Sequence, residues 1–190
     1  MAAISFVPTA SSRLQEEECE AVQKEDVVRE VTELAANGYQ EVVLTGIHLS
    51  SYGVDLENEN LLSLILAVNE IEGIKRIRLG SLEPRIITED FVKTISGLEK
   101  MCPHFHLSLQ SGCDETLKRM NRRYNSEEYY EKCTLLRKYF QDPALTTDVI
   151  VGFPGETEED FLETMDVVKK VRYDSAFTFQ YSKRTGTPAA

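Results

Sequence analysis

The chain has 190 residues, 42% hydrophobic and 28% charged, with a formal net charge of −11. That is the composition of an ordinary globular domain with its own core, not of a disordered, collagenous or disulfide-stapled chain. The acidic balance opposes non-specific attraction to nucleic acid, and neither a bilayer-spanning apolar run nor a charged-then-apolar leader stands out, so no membrane association and a cytoplasmic location are expected.

The first 24 residues read as an irregular segment, with a short apolar ISFV, a proline and an acidic cluster at Glu16–Glu18 that fits a solvated face. Glu25–Asn37 follows as an amphipathic helix, with Val27, Val28, Val31, Leu34 and Ala35 on one side and Asn37-Gly38 as its stop. Glu41–Ile47 is a buried strand, His48–Gly53 a loop and Leu61–Ile71 a second helix. Ile74–Ser81 is a strand, and Thr88 caps a helix running to Leu98, with Glu89 and Asp90 in its first turn. Phe105–Ser111 is the next strand, followed by helices at Glu115–Met120 and Ser126–Phe140. Leu145–Phe153 is a strand, Thr157–Val171 a helix opened by a capping-box-like Thr157 and Asp160, and Ala176–Ser182 a last strand. Strand and helix alternate five times, which calls for a parallel sheet with helical crossovers. The order begins on a helix with no convincing strand before it, the mark of an incomplete unit with an exposed edge at Val42–Ile47. The expected organisation is residues 1–24 as an irregular segment and 25–190 as the α/β domain.

The stretch His104–Tyr124 (HFHLSLQSGCDETLKRMNRRY) organises the rest. Read with period two, Phe105, Leu107 and Leu109 share one face, and His104, His106, Ser108 and Gln110 the other. Gly112 breaks the strand, and Asp114 is positioned to cap the next helix. Closed α/β barrels fill their interior with branched apolar side chains. A polar face here means either an interior left open for a polar ligand or an edge strand with a solvated face. In LTTDVIVGF, Thr146 and Asp148 share a face with Ile150 and Gly152. A mid-strand carboxylate is costly to bury unpaired. Ribose hydroxyls would satisfy Asp148, and so would a structural partner such as Arg76 or Arg78.

Functional groups of parallel α/β folds gather at the C-terminal ends of the strands. Those ends are Thr45-Gly46, Gly80-Ser81, Gln110-Ser111-Gly112, Gly152-Phe153-Pro154-Gly155 and Tyr181-Ser182. Small residues at all five suit a ligand that approaches the backbone closely. GFPGET fits neither a dinucleotide fingerprint nor a P-loop. The three histidines have no zinc spacing, and the four cysteines (Cys19, Cys102, Cys113, Cys133) show no CxxC or CxxxC, which points to reduced thiols and no metal site.

TGIHLSSYG (45–53), RIRLGSLEP (76–84), CPHFHLSLQSGCDETLKRMNRRY (102–124), TTDVIVGFPGETEEDF (146–161) and FQYSKRTGTPAA (179–190) resemble the radical S-adenosylmethionine methylthiotransferases, nearest to the bacterial branch acting on N6-threonylcarbamoyladenosine beside the tRNA anticodon. The resemblance implies a partial (β/α)6 TIM-like radical-SAM barrel, reductive cleavage of S-adenosylmethionine at a 4Fe-4S cluster, and sulfur insertion from a second cluster. It assigns Gly46 to the amino group of the methionine moiety, Arg122 to its carboxylate and Asp148 to the ribose. Ser81 and Gln110 would line the lumen beside the cofactor, and Ile150, Gly152 and Tyr181 would flank the adenine.

The sequence departs from that family at one motif: it contains no CxxxCxxC, the ligand set of the radical-generating cluster. Ser5-Phe6-Val7-Pro8 falls where a Cys-Ile-Ile-Pro-like segment belongs, and the expectation is a barrel without the family's N-terminal cluster domain or its C-terminal RNA-binding domain. The expectation is a barrel lacking its first strand and cluster loop, inactive alone, holding no cluster and binding nucleic acid weakly or not at all, although tRNA is the partner of the full-length enzyme. The alternative is a non-catalytic descendant that binds nucleotide or S-adenosylmethionine.

Overall fold

The computed structural model describes residues 2–5, 22–46, 49–53 and 59–183. They fall into two compact units: Met1–Leu82 with Thr88–His104, and Glu83–Ile87 with Phe105–Ala190.

In the first unit, β1 (Ala2–Ser5), β2 (Glu41–Thr45) and β3 (Arg76–Leu79) form a parallel sheet in the order β1-β2-β3. The register runs from Ala2 opposite Val42 to Ser5 opposite Thr45, and from Glu41 opposite Arg76 to Leu44 opposite Leu79. A first strand is therefore present, which corrects the sequence expectation that it was lacking and that Val42 onward formed an open edge. Four residues are too few to show a period, and their strand conformation comes from the ladder offered by β2. Helix α1 (Lys24–Ala36) buries Val27 and Val31 and ends where expected, with Asn37 as C-cap and Gly38 at φ +88°. Helix α2 (Leu61–Asn69) opens with a capping box between Asn60 and Ser63, and the Thr88 hydroxyl accepts from Phe91 N at the head of α3 (Glu89–Ser96). Val42, Leu44, Ile77 and Leu79 from the strands and Leu64, Ile65, Val92 and Ile95 from the helices are buried. Each such side chain contributes roughly 1.5–3 kcal/mol on leaving water. The expected strand Ile74–Ser81 is interrupted at Gly80, after which Ser81–Leu82 forms a separate two-residue strand, β4.

In the second unit, β5 (His104–Leu107), β6 (Ala144–Val151) and β7 (Ser175–Gln180) follow one another across the sheet. β6 and β7 are parallel, from Thr146 opposite Ser175 to Val151 opposite Gln180. Helix α4 (Asp114–Arg119) takes Cys113 rather than Asp114 as N-cap, because the Asp114 carboxylate is used elsewhere, accepting from Ser126 N at 2.8 Å. Helices α5 (Ser126–Tyr139) and α6 (Glu158–Val171) open with reciprocal capping boxes, Asn125 with Glu128 and Thr157 with Asp160. Phe105, Leu107, Leu109, Tyr129, Leu136, Leu145 and Val149 make the core, where Phe105 meets Phe140 edge-on at 4.9 Å. Gly112 is required by packing: a Cβ there would lie 2.6 Å from Thr164 Cα of α6. No helix among the described residues is long and apolar enough to cross a membrane.

Candidate functional site

The alternation read from the sequence holds on β6, where Leu145, Thr147 and Val149 are buried while Thr146, Asp148 and Ile150 are half-exposed. Asp148 is not left alone. Its Oδ2 lies 3.1 Å from His106 Nε2 and 3.4 Å from Ser108 Oγ, both on the neighbouring chain segment. The other ring nitrogen, His106 Nδ1, lies 3.0 Å from Thr146 Oγ1. A carboxylate only accepts, so Nε2 carries the proton that faces it, and Nδ1 of the neutral ring accepts from the threonine hydroxyl. Neither arginine considered in the sequence is the partner, because Arg76 and Arg78 both turn to Glu41 in the first unit, at 3.0 and 3.8 Å. Period two put His106 and Asp148 on polar faces, but nothing in it shows that neighbouring strands bring them into contact.

Ser108 reaches this face just beyond the end of β5, whereas Gln110 is buried and bridges Val149, on the buried face of β6. Beyond Leu107 the backbone groups are held largely by side-chain hydroxyls instead of a regular ladder. Thr147 Oγ1 donates to Leu107 O at 2.6 Å and accepts from Leu109 N at 2.9 Å. Tyr129 OH donates to the same Leu107 carbonyl at 2.8 Å, and Tyr124 OH to Ser108 O at 2.8 Å. Burial pushes the Tyr124 phenol up to about 12 and the Tyr129 phenol further still, so both remain donors. Pairing resumes at Gln110, whose N donates to Asp148 O and whose carbonyl accepts from Ile150 N, each at 2.8 Å. Gln110 is buried at φ +66°, a left-handed conformation uncommon for this residue type. The expected strand to Ser111 thus stops at Leu107 and is rejoined at one bridge.

After β6, Gly152 (φ +74°) and Gly155 (φ +80°) turn the chain. Glu156 Oε2 accepts from Gly152 N and from Phe153 N, the latter at 3.2 Å, and so ties the GFPGE loop together. The Phe153 and Tyr181 rings meet edge-on at 5.1 Å, and Tyr181 N donates to Val151 O at 2.8 Å. In the β6–β7 register Asp148 stands opposite Phe177 and Ile150 opposite Phe179. Paired residues of parallel strands share a face, which gives Asp148 and Ile150 two aromatic neighbours. Both phenylalanines are about half exposed, at 54% and 53%. The Phe177 ring centre is 6.0 Å from that of His106.

Arg122 follows α4, and its Nε is buried without a hydrogen-bond partner among the described residues. No hydrogen bond or ion pair joins Arg122 to Asp148 or Gln110 there. Gly46, half-buried after β2, and Ser81, exposed at the start of β4, belong to the first unit. His48 and Cys19 lie outside the described residues. Cys102, Cys113 and Cys133 are buried free thiols, and burial raises all three, Cys133 to about 12. No three His, Cys, Asp or Glu side chains gather as a metal set among the described residues.

The second unit therefore presents a carboxylate fixed through Oδ2, with no hydrogen bond to Oδ1 among the described residues. Exposed aromatic rings lie beside it, and a buried guanidinium nitrogen elsewhere in the unit lacks an acceptor. A ligand with hydroxyl donors and a flat ring matches the chemistry beside Asp148.

The family model of the Radical SAM superfamily matches residues 9–168. The tRNA-2-methylthio-N(6)-dimethylallyladenosine synthase of Thermoanaerobacter pseudethanolicus (strain ATCC 33223 / 39E) is 50% identical over 167 residues, 87% of this chain and 36% of that protein. The protein of the same name from Clostridium tetani (strain Massachusetts / E88) is 50% identical over 165 residues, 86% of this chain and 36% of that protein. The chain thus spans about a third of the length of these curated relatives. Among solved structures, apo OxsB, a cobalamin-dependent S-adenosylmethionine radical enzyme, superposes with a TM-score of 0.67 at 11% identity, covering 87% of this chain and 26% of that one. Coproporphyrinogen III oxidase (HemN) from Escherichia coli, a radical SAM enzyme, gives a TM-score of 0.62 at 16% identity, covering 84% of this chain and 37% of that one. At those identities the likeness shows the fold, a partial TIM-like α/β barrel.

Proposed function

The chain belongs to the radical SAM superfamily, and on that premise we propose that it is the S-adenosylmethionine-binding part of a tRNA 2-methylthiotransferase. The observation that carries the reading is Asp148, already oriented by His106 and Ser108 with its second oxygen free to accept from the vicinal hydroxyls of a ribose. Arg122 would pair with the carboxylate of the methionine moiety, a charge-assisted bond worth roughly 1.5–3 kcal/mol. Within the second unit, Gln110 would lie beside the cofactor, and Ile150, Gly152 and Tyr181 would border the adenine. Bound in such a site, S-adenosylmethionine would supply the methyl group of the reaction and, only where a reductant outside this chain delivers an electron, the radical that abstracts hydrogen.

The superfamily's 4Fe-4S cluster does not fit these residues. The sequence has no CxxxCxxC, and the three described cysteines are buried and held as thiols, whereas cluster ligands are thiolates. No step through the cluster follows from this chain, and alone it is inactive in this reading. The same lack favours a second reading, a descendant that binds S-adenosylmethionine or nucleoside without catalysis.

The tRNA substrate has two versions. The motifs at 45–53 and 76–84 favour N6-threonylcarbamoyladenosine, while the names of the relatives favour N6-dimethylallyladenosine. Calorimetry of this chain with S-adenosylmethionine tests the site: weak binding abolished by Asp148→Ala and by Arg122→Ala is expected, and binding indifferent to both overturns it. Mass spectrometry of tRNA digests from cells lacking the gene separates the substrates. Loss of the 2-methylthio group from threonylcarbamoyladenosine is expected, loss from dimethylallyladenosine moves the substrate, and no loss from either favours the non-catalytic descendant.

A further inference from the structure

The ring of His106 is placed differently from a histidine that merely fills space on a strand. Both nitrogens are engaged, one by Thr146 Oγ1 at 3.0 Å and the other by Asp148 Oδ2 at 3.1 Å, and its side chain is 14% exposed. Thr146 and Asp148 are two residues apart on β6, so both present the same face of that strand and the ring spans them. Ser108 Oγ approaches the same Oδ2, at 3.4 Å, and no donor approaches Oδ1 among the described residues. Among the described residues, the hold on this carboxylate is therefore on one oxygen.

We infer that His106 is a positioning residue: it fixes the rotation of the Asp148 carboxylate so that Oδ1 alone faces the ligand. The inference rests on the nucleoside reading of the site proposed above. Free in its position, a carboxylate turns about its last bond over a broad range, and two hydroxyls cannot both be met by an oxygen whose direction is unset. The carboxylate decides the tautomer, because it can only accept whereas the threonine hydroxyl can donate or accept. Nε2 therefore carries the proton that meets Asp148, and the Thr146 hydroxyl follows by donating to Nδ1; the other tautomer would set a lone pair against the carboxylate. Ser108 adds a second, longer donor to the same oxygen, and the Phe177 ring stands beside the imidazole.

The test uses the full chain with adenosine and with 2′,3′-dideoxyadenosine, which lacks both vicinal ribose hydroxyls. His106→Asn, whose amide cannot reach the Nε2 position, is expected to lower adenosine affinity about tenfold, the worth of one hydrogen bond. Dideoxyadenosine binding is expected to be unchanged, and His106→Gln, which restores a donor near Nε2, to recover most of the loss. A purely structural histidine would weaken both ligands alike, and that result overturns the inference, as does equal adenosine affinity of wild type and His106→Asn. Failure of the wild-type chain to bind adenosine would instead overturn the nucleoside reading. The positioning geometry is then decided by the ring itself. Nitrogen-15 correlation spectra of the unsubstituted protein are expected to show the neutral ring as the Nε2–H tautomer, a preference kept in Thr146→Val and lost in Asp148→Ala. An Nδ1–H ring in wild type would refute it.

Discussion

Each unit carries an acidic side chain on a strand whose partners sit on the adjacent chain segment. In the first, Glu41 opens β2 and meets Arg76 and Arg78 along an uninterrupted ladder. In the second, Asp148 stands mid-strand on β6 and meets an imidazole and a hydroxyl, beside a strand that breaks off at Leu107. Two guanidiniums leave Glu41 little capacity for anything else. His106 and Ser108 engage one oxygen of Asp148 and leave the other. The regular ladder belongs to the carboxylate that serves the fold, and the broken one to the carboxylate that we assign to a ligand. A bulge or break that re-aims side chains is a recurrent device beside functional sites.

The largest expected effect comes from undoing that break. Thr147→Val keeps the shape but deletes the hydroxyl that joins Leu107 O and Leu109 N inside the core. A buried amide N–H without a partner costs about 2 kcal/mol, and urea unfolding is expected to show that loss. A loss under about 0.5 kcal/mol would mean that the segment re-pairs on its own, and the contrast between the two ladders would fail.

Much of this arrangement was legible in the sequence, and the residues that were not share a cause. Period two put Phe105, Leu107 and Leu109 on one apolar face, and all three are buried, while it set His106 on the opposite face. The helix starts at Thr88 and Thr157 were readable because capping depends on residues three apart. The strand break was invisible: HFHLSLQ alternates without a fault, and Gln110 is not a residue type that announces a left-handed backbone. The hydroxyls of Tyr124 and Tyr129 that hold the break come from more than a dozen residues downstream. Strand β1 was missed because its pairing, not its composition, makes it a strand.

Alkaline pH sharpens the comparison with a smaller effect. Tyr124 has an ordinary value of 10.0 that burial raises to about 12. Below pH about 10 both folded and unfolded chains hold this proton, so its contribution to stability is complete. Between about 10 and 12 the unfolded chain releases it first, and stability falls on the order of 1 kcal/mol per pH unit for this group. Cys133, raised from 9.0 to about 12 in the same unit, adds to the decline with the same sign, starting about one pH unit lower. Hydrogen exchange on the full chain is expected to show the second unit losing protection above pH about 10 ahead of the first. Simultaneous loss would remove the distinction drawn from the buried phenols.

The smallest effect is expected at Glu41, and it bears on why the two carboxylates differ. Glu41→Gln keeps a side chain able to accept from Arg76 but removes the charge. The Glu41 side chain is 22% exposed, while Arg76 is 58% and Arg78 32% exposed, so water reaches all three and weakens what they exchange. What remains is a screened ion pair, which salt at about 1 M would erase. The expected shift in the urea midpoint is therefore slight at low salt and absent at high salt. The partners of Asp148 are a hydroxyl and an imidazole rather than guanidiniums, so its hold depends on direction more than on charge. Asp148→Asn is accordingly expected to weaken adenosine binding about tenfold at low and high salt alike, because an amide placed there cannot accept through both of its ends. A salt-sensitive loss at Asp148, or a salt-insensitive one at Glu41, would show that the two carboxylates work alike.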